Sequence, residues 1–135
     1  MRSICQLVHS LNVGGAEVLA DRFARRLGHC GRMVFGCLDD LGPLGEQLLR
    51  EGTTVEQLAR RPGLDLLCAW QLGGFLRREK VALVHAHQYT PYFYACLARL
   101  MRGGPRILFT EHGRFHPDLP SKKRMILNPR LVRRQ

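Results

Sequence analysis

The most restrictive feature of this sequence is the alternation of short apolar runs with amphipathic stretches along the whole chain. Apolar runs of strand length occupy residues 4–9, 33–38, 54–58, 81–84 and 106–110. Between them, apolar residues recur at helical spacing over residues 16–27, 43–52, 66–78 and 92–101. Asp65 is predicted to cap the third helix, and Thr90, followed by Pro91, the fourth. Strands separated by helices predict an α/β fold: a Rossmann-like, doubly wound parallel sheet of about five strands with helices on both faces.

The size of the chain fits one domain, which we assign to residues 1–135. No apolar run reaches the roughly 18 residues of a membrane span, and the first residues are too polar for a signal peptide. The expected location is therefore cytoplasmic, peripheral to a membrane at most. The five cysteines are scattered without a CxxC pair, which indicates reduced, mostly buried side chains rather than a disulfide framework or a zinc ribbon.

The net charge of +10 is concentrated at the end of the chain. Residues 120–135, PSKKRMILNPRLVRRQ, contain six lysines and arginines and no acidic residue. We predict a basic C-terminal helix there, suited to an anionic lipid surface, a phosphorylated ligand or RNA, or simply to a solvated face.

Ligands of a doubly wound sheet bind beyond the carboxyl ends of the strands. The loops expected to carry function are therefore 10–15, 39–43, 85–91 and 110–118. In the first of them, Gly14 and Gly15 join a strand to a helix, where the absence of Cβ atoms lets an anion approach the free amides of the helix N-terminus. The turn matches neither GxGxxG nor a Walker A loop. Glu17 falls in the first helical turn, where the helix dipole alone favours a carboxylate.

The loop over residues 85–91 begins with His85 and His87, in VHAHQYTP, which lie on one face if the strand continues that far. Such a pair can bind a metal or hydrogen-bond a polar ligand, or one ring can be a buried structural donor. With His112 and His116 one loop later, a metal-dependent hydrolase is an alternative, although HExxH is absent.

The third stretch, TEHGRFHPD, follows the fifth strand. His112 could hydrogen-bond a sugar hydroxyl or move a proton, and Glu111 could act as a base or orient Arg114. A local surface pair between Glu111 and Arg114 is the simpler explanation. Three polar loops at one edge of the sheet favour function.

The succession LNVGGAEVLADRFARRL, VALVHAHQYTPYFYACLARL and RILFTEHGRFHP resembles the N-terminal, acceptor-side domain of family 4 glycosyltransferases. These are retaining enzymes of the GT-B fold that use nucleotide-sugar donors. The resemblance runs from about Ser3 to Arg134 and is closest to bacterial enzymes that build polysaccharides and lipid-linked glycans.

The resemblance implies that Gly14 and Gly15 lie against the donor diphosphate and that His112 is the catalytic residue beside the transferring sugar. It implies a nucleotide sugar and a lipid-linked or saccharide acceptor as partners, no metal or other cofactor, no nucleic acid, and a basic helix that meets an anionic membrane. The residues expected to line the substrate cleft are Asn12, Glu17, His85, His87, Gln88, Tyr89, Glu111 and Arg114.

One departure from the family is large, because the second Rossmann-like domain, with its E-x7-E motif, does not follow Gln135. We also expect the closing strand of the first domain to be missing. We expect half of a cleft, without tight donor binding or turnover of its own, and with a bare edge at the fifth strand. The alternative from another class is a non-catalytic module that binds phospholipid, other anions or nucleic acid.

Overall fold

The structure is a computed structural model that describes residues 2–111. It contains five strands, β1 (Ser3–Val8), β2 (Arg32–Cys37), β3 (Thr54–Gln57), β4 (Val81–His87) and β5 (Arg106–Thr110). Four helices alternate with them, α1 (Gly15–Leu27), α2 (Gly42–Arg50), α3 (Leu66–Arg78) and α4 (Tyr89–Arg102). The predicted alternation of strands and helices is confirmed. The basic helix predicted over residues 120–135 lies outside the described residues.

The five strands form one parallel sheet in the order β3-β2-β1-β4-β5. This order reverses direction at β1, because the chain proceeds outward on one side through β2 and β3 and then crosses to β4 on the other. The predicted Rossmann-like fold is thereby confirmed. In such sheets the crevice lies where the order reverses, between the carboxyl ends of β1 and β4.

Two apolar cores lie on the two faces of the sheet. One face packs under α1 and α2 and includes Val8, Ala20, Phe35 and Leu48. The other packs under α3 and α4 and includes strand residues of β1, β2 and β4 together with helical side chains: Cys5, Leu7, Val34, Leu72, Phe75, Val84, Ala86 and Tyr94. Along β1 and β2 the period-2 alternation therefore supplies both cores, whereas the buried apolar residues of β4 all belong to the second core.

Four of the five cysteines are buried, and Cys30 is exposed. Burial raises the pKa of Cys5 to about 12. Burial likewise raises the pKa of Cys68 to about 11. These thiols pack as small apolar groups, as the sequence predicts, and are not available as thiolates at neutral pH.

Candidate functional site

The turn between β1 and α1 starts the helix without a side-chain cap. Gly14 is the N-cap residue of α1 and provides no side-chain hydrogen bond. A Cβ atom at Gly15 would meet nothing within 4 Å, and Val13 beside it is exposed. Backbone amides at this position of a doubly wound sheet can donate to an anion, and the helix dipole adds to the attraction.

The Glu17 carboxylate folds back over this turn. A Cβ atom at Gly14 would lie 2.5 Å from Glu17 Oε2, so the glycine provides the space that the carboxylate occupies. Glu17 thus places a negative charge at the positive end of α1, as its position in the first turn predicts. Asn12 belongs to the same turn, where its side-chain amide donates to Ser10 Oγ at 3.2 Å.

The loop that follows β2 holds this turn in place. The Leu11 amide donates to the Asp40 carbonyl at 3.1 Å, and the Leu44 amide donates to the Leu11 carbonyl at 3.0 Å. Gly42 has a φ of +64°, and a Cβ atom there would lie 2.5 Å from the Leu11 carbonyl oxygen and 2.6 Å from the Asn12 nitrogen. The two loops are therefore in backbone contact, which fixes the geometry of the candidate anion site before any ligand arrives.

His85 and His87 lie inside β4 rather than in a loop that starts at residue 85, so that predicted strand end is wrong. Both are buried, and their rings lie side by side with centroids 4.0 Å apart. His87 Nε2 donates to Gln6 Oε1 at 2.7 Å, and His85 Nε2 lies 2.8 Å from Thr110 Oγ1. Each ring therefore ties β4 to a neighbouring strand.

Gln88 joins β4 to α4, and Tyr89 is the first residue of α4. Gln88, not Thr90, is the N-cap residue of α4, so the predicted cap is wrong. Gln88 has φ 72° and ψ 171°, a backbone conformation that residues other than glycine rarely adopt. Its backbone N–H donates to the Thr110 carbonyl at 2.8 Å. The half-buried Tyr89 ring packs against Tyr92 and Phe93.

Glu111 is exposed directly after β5, at the same edge of the sheet as the turns that follow β1 and β4. His112, Arg114 and His116 lie outside the described residues. Within residues 2–111, no three His, Cys, Asp or Glu side chains are grouped so that they could hold a metal ion. No helix in that same range is long and apolar enough to cross a bilayer.

The structure adds a polar cluster of His9, Asp39 and Arg60, which the motifs do not indicate. Arg60 donates two hydrogen bonds to the Asp39 carboxylate, at 3.0 and 3.1 Å, and His9 Nδ1 lies 3.8 Å from that carboxylate. Burial lowers the pKa of His9 and outweighs the opposing effect of Asp39, while Arg60 lowers it further. Each residue follows one of the first three strands, so the topology, rather than a local motif, is the signal that identifies them.

The sequence model of Glycosyltransferase Family 4 matches residues 13–135. The chain belongs to this family. Its matched region begins at the turn that carries Gly14 and Gly15 and includes β4 and the stretch after β5. Of the readings drawn from the sequence, the glycosyltransferase domain is the one that this match supports, and the metal-dependent hydrolase and the non-catalytic module are not favoured.

A solved glycosyltransferase from Rickettsia africae ESF-5 has a similar fold, with a TM-score of 0.71 and 16% sequence identity. The similarity covers 98% of this family 4 chain and 35% of the Rickettsia protein. At this identity the likeness concerns the fold alone, and the chain spans 35% of the length of that relative. No curated protein matched the chain.

Proposed function

We propose that this family 4 chain forms the acceptor-side domain of a retaining glycosyltransferase with the GT-B fold. In the proposal, the enzyme moves a sugar from a nucleotide-sugar donor to a lipid-linked or saccharide acceptor during bacterial polysaccharide or glycolipid synthesis. A second domain would supply the donor-binding side of the cleft. Family membership supports the reaction class. The resemblance of TEHGRFHPD to bacterial enzymes that build polysaccharides and lipid-linked glycans supports the choice of acceptor.

The β1–α1 turn is the observation that carries the proposal. It lies where the strand order reverses, it carries Gly14 and the exposed Gly15 at the start of α1 without a side-chain cap, and Gly42 packs against its backbone. Preorganised amides can stabilise the charge that develops on a departing nucleoside diphosphate, without a metal ion. The proposal therefore involves no metal or other cofactor.

The remaining residues take roles consistent with their positions. His112 would touch the transferring sugar, and Glu111 and Arg114 would lie on the same side of the cleft. The buried His85 and His87 would act through β4, by fixing the end of the strand from which Gln88 and Tyr89 extend toward the acceptor. The exposed Asn12 would border the diphosphate.

Substitution of Gly15 tests the proposed diphosphate contact. A methyl group at Gly15 meets nothing in the protein, so Gly15→Ala should fold normally and still obstruct a phosphate. Gly28→Ala, at the other end of α1, is the matched control, because its nearest contacts are ordinary at 3.5 and 3.7 Å. We would titrate the isotope-labelled full chain with pyrophosphate, UDP-glucose and GDP-mannose and follow its backbone amides by NMR.

The proposal expects the amides of residues 14–17 to shift in the unmodified chain and in Gly28→Ala, but much less in Gly15→Ala. Equal shifts in both variants would exclude the turn as the diphosphate site. Salt-sensitive binding of RNA or DNA without any response to the donors would favour the binding-module alternative. Stoichiometric zinc in the purified protein would favour the hydrolase alternative.

A further inference from the structure

The edge of the sheet at β3 offers backbone hydrogen-bonding groups to a further strand. Among residues 2–111, β3 pairs only with β2. The Leu58 amide, just after β3, donates to the Cys37 carbonyl of β2 at 2.9 Å. Successive residues of a strand direct their N–H and C=O groups to opposite sides, so those of Val55 and Gln57 point away from β2. An edge of this kind is a template for pairing with another chain.

The helix α3 runs beside this edge and forms a groove with it, called the β3–α3 groove below. The groove has a volume of about 530 Å³, a size typical of ligand sites. Its walls include three residues at β3 and three on α3: Glu56, Gln57, Leu58, Trp70, Gln71 and Gly74. Proteins that bind a peptide by strand addition combine an open sheet edge with pockets for alternate side chains of the peptide. The edge of β3 and the adjacent groove provide both.

The charged side chains along the β3–α3 groove have partners within the chain. Arg78 Nη2 lies 3.3 Å from Glu56 Oε2, and Arg78 Nε lies 3.6 Å from Glu79 Oε1. The guanidinium carbon of Arg102 lies 4.1 Å from the centre of the Trp70 ring, and its Nη1 donates to the Trp70 carbonyl at 3.3 Å. The groove therefore selects neither a strongly acidic nor a strongly basic partner.

A second copy of this chain fits the edge poorly. An antiparallel pair of β3 strands that uses Val55 and Gln57 of both copies would place Glu56 directly opposite Glu56 of the other copy. Like charges at opposed positions destabilise a strand pair. The edge therefore favours a strand with a different sequence, whose side chain opposite Glu56 is uncharged.

We propose that the β3–α3 groove binds an extended, uncharged segment of a partner protein as an additional strand of the sheet. The backbone of this segment would exchange hydrogen bonds with Val55 and Gln57. Its side chains on the α3 side would enter the groove, because Glu56 and Leu58 on that side of β3 line it. An apolar side chain there would cover the Trp70 ring, which is 47% exposed.

The inference concerns a surface that is separate from the candidate diphosphate site, because β2 lies between β3 and the strand that carries the Gly14–Gly15 turn. It does not require the proposed transfer reaction. Peptide binding can therefore succeed or fail independently of the diphosphate titration.

Strand addition predicts a specific pattern of amide hydrogen exchange. Heptapeptides would be selected against the full chain from a displayed library without tryptophan, and the tightest binders synthesised. In the free chain, the amides of Val55 and Gln57 should exchange faster than those of Glu56 and Leu58, which bond to β2. A bound peptide should slow exchange at Val55 and Gln57 about tenfold or more. It should also shift the emission of Trp70, the only tryptophan in the chain, to the blue.

Several results of these measurements would overturn the proposal. A selection without binders would do so, as would binders that are mostly charged or that leave the Val55 and Gln57 amides unprotected. Protection of these amides that grows with protein concentration, without peptide, would mean that a second copy covers the edge. Protection that is already complete in the dilute free chain would mean that the chain itself covers it.

A matched pair of variants at Gln57 separates the backbone from the side chain. Gln57→Pro and Gln57→Ala both remove the side chain and its hydrogen bond to the Asp39 carbonyl at 3.1 Å. Only proline also removes the outward N–H, and a proline is tolerated on an edge strand where its nitrogen faces away from the neighbouring strand. We expect Gln57→Pro to weaken binding of the selected peptide about tenfold relative to Gln57→Ala, since one backbone hydrogen bond is lost.

Equal binding by the two variants would exclude the edge of β3 as the peptide site. Urea denaturation of both variants shows whether the fold is retained. If Gln57→Pro does not fold, the exchange pattern of the unmodified chain still decides, because protection at Val55 and Gln57 requires no substitution.

Discussion

Gly42 couples two loops of the candidate site through a contact that no other residue type can make without displacement. Its φ of +64° is left-handed, and a Cβ atom would lie 2.5 Å from the Leu11 carbonyl oxygen. We expect Gly42→Ala to lower the free energy of unfolding by about 1–3 kcal/mol beyond the cost of the backbone conformation alone, since backbone atoms cannot yield as a flexible side chain does. Urea denaturation measures this change.

Gly63→Ala is the control for that conformational cost. Its φ is also left-handed, at +79°, but a Cβ atom there meets nothing within 4 Å. Its substitution should cost only about 1–2 kcal/mol. Amide resonances of residues 11–15 should move in Gly42→Ala and stay in place in Gly63→Ala. Similar stability losses in the two variants would contradict the proposed contact between the loops.

The pKa of His9 should respond in opposite directions to substitution of its two charged neighbours. Burial lowers this pKa, Asp39 raises it and Arg60 lowers it. Asp39→Asn should therefore lower the pKa of His9 further, whereas Arg60→Gln should raise it. Titration of the His9 ring proton by NMR in the two variants measures both shifts, and shifts of the same sign would contradict the arrangement.

The same pKa shift has a consequence for stability. A histidine whose folded pKa lies below its unfolded value of about 6.5 binds a proton more weakly in the folded state. Above about pH 6.5 His9 is neutral in both states and has no effect on stability. As the pH falls from there through the folded pKa, the contribution of His9 should destabilise the fold. His9→Gln should therefore flatten the pH dependence of the urea midpoint in that window.

The bounds of a strand or helix could be predicted where the local sequence pattern determines them, and could not where contacts with distant residues determine them. The bounds of α3 and β5 follow from an aspartate cap, helical spacing and a compact apolar run. The end of β4 was predicted too early, because two histidines look polar in the sequence. In the fold they are buried, since Gln6 and Thr110 on neighbouring strands bind their rings.

The features of the candidate site likewise fall into those that the local sequence predicts and those that depend on contacts between distant loops. The Gly14–Gly15 turn could be located from two glycines between a strand and a helix. The backbone hydrogen bonds of Leu11 with Asp40 and Leu44 join loops that are distant in the sequence, and so does the Asp39–Arg60 ion pair. No local motif marks either contact. Similarly, the start of α4 depends on the left-handed backbone of Gln88, which the favourable sequence Thr90-Pro91 obscures.

The contact between α3 and α4 yields a prediction at the scale of elements. A Cβ atom at Gly73 would lie 2.8 Å from Arg102 Cδ and 3.2 Å from its Cβ, close to the α4 backbone. Gly73→Ala should therefore destabilise the protein by about 1–3 kcal/mol. In an Arg102→Ala background, which removes Cγ and Cδ but keeps Cβ at 3.2 Å, the same change should cost much less, because the helix propensity of alanine offsets the contact that remains.

The adjacent glycine is the matched control. A Cβ atom at Gly74 would approach only the end of the Arg102 side chain, with Nη1 at 3.1 Å, so Gly74→Ala should be neutral or slightly stabilising. Thermal unfolding of the single and double variants forms a mutant cycle for the two helices. Additive effects of Gly73→Ala and Arg102→Ala would show that this contact does not set the distance between them.

At the scale of the whole molecule, the edge of the sheet at β5 is where we expect association with another chain. Among residues 2–111, β5 pairs only with β4, and Leu108 on this strand is 50% exposed. An exposed apolar edge strand is a template for pairing with another chain. Leu108→Lys should suppress concentration-dependent association in light scattering, because a lysine there would place a charge in any strand-to-strand contact.

Leu49→Lys is the control, because it adds the same charge at a similarly exposed position on α2. Since both variants change the net charge equally, a loss of association in both would point to general repulsion, and a loss in Leu108→Lys alone would locate the contact at the edge of the sheet.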